Sequence, residues 1–195
     1  MSKKEDITLA QALYGKKDKS PEKPDLSALK PFWDTSDKPE PEANTKPSLT
    51  EALYGNPTQR MENTLGRTLD QNISEIRDHL ALTNDQAQAM RKKHVQWFTD
   101  IVLTGDAESV HTLLASRTLK PATEEEQTAW VSQTMKEVRQ RFGDNADRLL
   151  AKARKLIDAR PELGEAIAAA GIGNHRDFVL AVVERVRHEE TQGRL

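Results

Sequence analysis

The chain of 195 residues has no cysteine. This excludes disulfides, thiolate metal sites and cysteine nucleophiles. Aromatic residues are scarce at 5%, and hydrophobic residues reach 36% against 31% charged. That is little apolar material for a compact globule and predicts a thin helical core with exposed segments. No apolar run approaches the roughly 20 residues that span a bilayer. Behind Met1, the segment Ser2-Lys3-Lys4-Glu5-Asp6 has no signal-peptide core. A soluble protein inside the cell, or inside a particle assembled there, is expected, with no membrane partner. The net charge of -2 provides no global field for nucleic acid.

Catalytic patterns are also missing. The five histidines, His79, His94, His111, His175 and His188, include no His-Glu-x-x-His and no pair at i, i+4. There is no Gly-x-Ser-x-Gly, and the serines fall at caps or near the N-terminus. Glu124-Glu125-Glu126 reads as acidic residues complementing a helix start rather than as an acid-base pair. The nearest approach to a phosphate loop is Gly171-Ile172-Gly173-Asn174-His175. Its glycines are expected to end one helix and turn into the next. No catalytic residue, metal ligand or cofactor is predicted.

What the chain does contain is a repeat. Thr8-Leu9-Ala10-Gln11-Ala12-Leu13-Tyr14-Gly15 returns as Ser48-Leu49-Thr50-Glu51-Ala52-Leu53-Tyr54-Gly55. Thr8 with Gln11, and Ser48 with Glu51, have the spacing of a capping box. The closing glycine can take the left-handed conformation that stops a helix. Leu9, Ala12 and Leu13, like Leu49, Ala52 and Leu53, share one face, with Tyr14 and Tyr54 beside them. A helix of one or two turns is unstable alone in water and needs a surface to dock on. These residues are therefore candidate partner contacts.

Both boxes sit in an arm covering residues 1–60, which holds seven of the nine prolines. The charged, Pro-rich stretch between them cannot bury enough apolar surface to offset the entropy of ordering, so the arm is expected to be largely disordered. Leu26, Leu29, Phe32 and Trp33 interrupt it. Phe32 and Trp33 form a third docking element, or else Trp33 packs back on the folded part. The rest is predicted to be all-α, with about six short helices in a segment 61–118 and a C-terminal domain 123–190, followed by a frayed tail 191–195. The spacing of Leu65, Leu69, Ile73, Ile76 and Leu80 makes the first stripe. Capping boxes Thr83–Gln86 and Thr123–Glu126 start two helices. Asp106, Asp144 and Asn174 are expected caps, Pro161 an expected first helical residue, and Gly105, Gly143 and Gly171 expected stops.

Basic residues gather late in the chain. Arg148, Lys152 and Lys155 fall on one helical face. The face is either solvated and balanced by nearby acids, or a docking surface for an acidic partner or nucleic acid. No aromatics interleave with it, which disfavours stacking on single strands, and no recognition-helix signature favours duplex readout.

From Arg141-Phe142-Gly143-Asp144 the chain runs through Leu149, Ala153-Arg154, Pro161-Glu162-Leu163, Ile167 and Gly171-Ile172-Gly173-Asn174-His175 to Phe178-Val179. This resembles the C-terminal region of tailed-phage structural and capsid-assembly proteins. In those proteins a Gly-Asp, Pro-Glu-Leu, Gly-Leu-Gly-Asn-His-Pro pattern recurs, often behind a charged, Pro-rich arm. Arg176 stands where the pattern has Pro. The resemblance implies a non-enzymatic, scaffold-like role in virion assembly. The partners it implies are a coat or portal protein or a second copy of the chain, in the host cytoplasm or inside a procapsid or virion. A phage-encoded regulator binding a host protein or DNA, and an internal protein retained in the mature virion, are the alternative expectations.

Overall fold

A computed structural model describes residues 55–194. The box at 8–15, the second box up to Tyr54, and Phe32 and Trp33 lie outside the described residues. The described residues are all-α, with seven helices, one 3-10 turn and no strand among them. In chain order the helices are α1 (Pro57–Leu80), α2 (Asn84–Ile101), α3 (Ala107–Leu119), α4 (Glu124–Phe142), α5 (Ala146–Asp158), α6 (Pro161–Ala170) and α7 (Arg176–Thr191), with the 3-10 turn Gly143–Asn145 before α5.

Gly55 has φ +73, the left-handed side expected of the glycine that closes the second box. Asn56 then caps α1, its side chain accepting from the Gln59 amide at 2.7 Å, and Pro57 opens the helix. Pro57 therefore belongs to the first turn of α1 rather than to the arm. Its missing N–H would have had no intrahelical partner there.

The two capping boxes form as read. Thr83 and Thr123 are extended, with ψ near 160, and each exchanges hydrogen bonds with the residue three positions on. Asp106 and Asp144 do not cap. Asp106 and Asn145, the residues preceding α3 and α5, already have right-handed helical dihedrals, and neither makes a side-chain cap bond. An N-cap side chain reaches the free amides only from an extended backbone. Asp144 itself lies inside the 3-10 turn. Nor does Gly105 stop α2. The helix ends at Ile101, and the extended Val102 turns a fully buried side chain into the core.

One hydrophobic cluster takes residues from every helix, from Met61 to Val186. Segments 61–118 and 123–190 thus share a core. Helices α1, α2 and α3 pack together, while α7 contacts α2, α3, α4 and α5. Phe178 through Val183 are all buried, so the first turns of α7 are surrounded on every side. A helix apolar all round belongs in the middle of a bundle. At its other end α7 continues through Glu189 and Glu190. A turn on Gly193 (φ +69), with the Arg194 amide donating to the Glu189 carbonyl at 2.9 Å, closes it.

Candidate functional site

The basic face is present but largely matched by acid. Arg148 and Lys152 on α5 both engage Glu190 of α7, Lys152 at 2.8 Å. Arg148 first and Lys152 second hold the Glu190 carboxyl below the usual carboxylate range. Lys155, one turn on, is exposed. The pattern continues along α7. Glu184, buried, accepts from Arg141 at 2.7 Å and Arg187 at 2.8 Å, and Glu189 takes Arg185 at 3.1 Å. The face is a mosaic of paired charges more than a positive field.

A second cluster lies inside the core. His94 of α2 and His111 of α3 are fully buried, with Nδ1 of His94 lying 3.0 Å from Nε2 of His111. His111 Nδ1 lies 2.9 Å from Nδ2 of the buried Asn72 on α1. With the amide so oriented, His111 accepts at Nδ1 and donates from Nε2 to His94, and both rings are neutral. Trp97 stacks on His94, and Phe98 meets His111 edge-on. Burial pushes His111 down to about 4. Burial first, and His111 second, hold His94 well below its ordinary value. The three side chains tie α1, α2 and α3 through polar atoms inside an apolar core. With no exposed surface, neither imidazole can touch a substrate. The signal was in the spacing. His94 falls on the α2 stripe with Ala87, Met90 and Trp97, and Asn72 on the α1 stripe between Leu69 and Ile76, so polar residues occupy apolar register positions.

The third cluster lies at the turn between α6 and α7. Gly171, Ile172, Gly173 and Asn174 are all buried, unlike most loops. Helix α4 covers them while burying only Thr134 and Val138 of its own residues. Thr134 Oγ1 donates to the Asn174 carbonyl at 2.9 Å, and the Ala122 amide donates to the Ala170 carbonyl at 3.1 Å. With Asn174 enclosed, the cap of α7 falls to His175, whose Nδ1 accepts from the Asp177 amide at 3.3 Å. Trp130 is half-buried between His175, edge-on at 4.7 Å, and the Arg117 guanidinium at 5.2 Å. Arg117 also pairs with Glu126 at 3.2 Å. The Thr123 amide and then Arg117 lower the Glu126 carboxyl.

Among the described residues no group of three or more His, Cys, Asp or Glu side chains converges to hold a metal ion. No described helix is long and apolar enough to cross a membrane. Gln133, Lys136, Glu137, Gln140 and Arg141 line a shallow depression along α4. It is polar and open, without the apolar walls of a ligand pocket. Compared with protein-family models, with curated proteins and with solved structures, the chain matches none.

Proposed function

We propose that this protein is a non-enzymatic assembly factor of a tailed phage, a capsid scaffold or assembly chaperone, that captures a multi-copy partner through its two arm boxes. The observation that carries the reading is the doubling of Leu-x-x-Ala-Leu-Tyr-Gly at 9–15 and 49–55. Two weak helical plugs on one chain raise each other's effective concentration, so capture is strong while both engage and is lost quickly when one is released. Each plug would lay Leu9 and Leu13, or Leu49 and Leu53, into a groove, with Tyr14 or Tyr54 at its end. The helical body is the anchor. The pairing of Arg148 and Lys152 with Glu190 supports a protein partner over DNA, because those cations are already matched within the chain. The setting in virion assembly comes from the resemblance of the segment from Arg141 to about Arg187.

The test is quantitative mass spectrometry of precursor shells and mature particles from the producing cells. A scaffold is abundant in the shells and missing from the particles. Equal abundance in both identifies a retained internal protein, and absence from both removes the assembly reading.

A further inference from the structure

Helix α1 is interrupted at Gly66, where φ +40 and ψ -125 lie far from helical values. Met61 and Leu65 are buried before the break, and Leu69, Ile73 and Ile76 after it. A Cβ added at Gly66 would meet nothing within 4 Å. Crowding therefore does not select glycine here; the dihedral alone does. One side chain from the neighbouring helix spans the break. Arg91 of α2 donates from Nε to Asp70 at 2.8 Å and from Nη1 to Glu62. Glu62 belongs to the segment before Gly66 and Asp70 to the segment after it. A guanidinium presents several donors in a fixed fork and can hold two carboxylates at once.

We propose that residues 57–65 are a hinged root of the arm, turning about Gly66 and latched shut by Arg91. Arg91 is 23% exposed, but its partners Glu62 and Asp70 are 44% and 62% exposed, so the latch is weak and sensitive to salt. The root opens before the rest of the bundle, as a local unit of lower stability. Because the root continues directly from the second box, load from a captured partner reaches the body through it. That consequence rests on the proposed docking function, whereas the hinge and latch do not.

Hydrogen exchange of the full chain, followed by mass spectrometry, tests this. Arg91→Met keeps the aliphatic stem and removes the fork. The expected result is exchange about tenfold faster in 57–65 of the variant, with 67–80 unchanged. Raising salt to about 1 M should move the wild type the same way. A common exchange rate for 57–65 and 67–80 in both proteins would overturn the hinge, and an unchanged 57–65 in Arg91→Met would overturn the latch. Gly66→Ala gives a second readout. Alanine is the better helix former, so it would slow exchange in an uninterrupted helix. At a hinge with positive φ it speeds exchange in 57–65, and slower exchange contradicts the proposal. If the wild type shows the expected exchange pattern but captures no partner, the docking reading fails and the hinge stands.

Discussion

His111 Nε2 and His94 Nδ1 meet at 3.0 Å in the middle of the α1–α2–α3 packing, with no exposed surface on either ring. A hydrogen bond between two imidazoles needs one donor and one acceptor nitrogen, which two neutral rings supply. Adding a proton puts a charge in the core.

The first prediction is loss of stability in mild acid. The pKa of His111 is near 4 when folded and near 6.5 when unfolded, and His94 shifts in the same direction. Below pH 6.5 the unfolded chain binds protons that the folded chain refuses, so stability falls with pH until the folded pKa is reached. Each ring contributes a slope of about 1.4 kcal/mol per pH unit in that window. Urea midpoints between pH 7 and pH 4.5 measure it. His111→Gln should lower stability at pH 7 by about 1–3 kcal/mol and flatten the slope by about one histidine. An unchanged slope would mean that His111 does not titrate on unfolding.

Two substitutions at left-handed positions should act with opposite sign. Gly171 has φ +70, and a Cβ there would come within 2.8 Å of Gln127 Nε2 and 3.2 Å of the Ala122 carbonyl. Gly171→Ala should cost more than about 1 kcal/mol. Ala81 ends α1 at φ +53, where an L-residue is strained. Ala81→Gly should stabilise by roughly 0.5–1 kcal/mol. Thermal melts of the two variants, displaced to either side of the wild type, check this.

Thr134 Oγ1 donates to the Asn174 carbonyl while the Thr134 side chain is fully buried. Thr134→Val keeps the shape and removes the donor, leaving a buried carbonyl short of a partner. A loss of about 1–3 kcal/mol is expected in urea denaturation. A neutral outcome would mean that α4 is not held on the loop by this bond.

Glu190 is the acid shared by Arg148 and Lys152. Glu190→Gln should leave the urea midpoint close to that of the wild type, because ion pairs at the protein surface contribute little to stability. It should, however, free both cations. Retention on immobilised DNA at low salt should rise in the variant and fall with added salt. If the wild type already binds as tightly as the variant, the internal pairing does not restrain the face.

The elements that were legible in the sequence are those set by local chemistry. Thr83 and Thr123 each have Gln or Glu three positions on, and such pairs cap wherever the backbone enters extended. Asp106 and Asp144 carry the same capping chemistry, but the chain reaches α3 and α5 already turning, and single residues do not record that approach. Composition alone groups Pro57 with the arm, but one neighbour, Asn56, makes it a helix start. The burial of Leu180 and Ala181 follows from α7 lying at the centre of the bundle, a tertiary fact that one stripe does not reveal. The cluster of Asn72, His94 and His111 joins positions 39 and 17 residues apart. Each was visible as a polar residue in an apolar register, but their meeting was not. The Glu62–Arg91–Asp70 fork depends on the break at Gly66, which in sequence is only a weak helix position.

The central claim is that the two boxes capture one partner together, and the tyrosines test it most directly. The tagged full-length chain is used as bait in lysate of the producing cells, beside Tyr14→Ala, Tyr54→Ala and the double variant, with helix content followed by circular dichroism. Each single variant should lose roughly a hundredfold or more in apparent affinity, the avidity term. The double variant should capture nothing while its helix content matches the wild type. Capture by the double variant at the wild-type level would contradict the account.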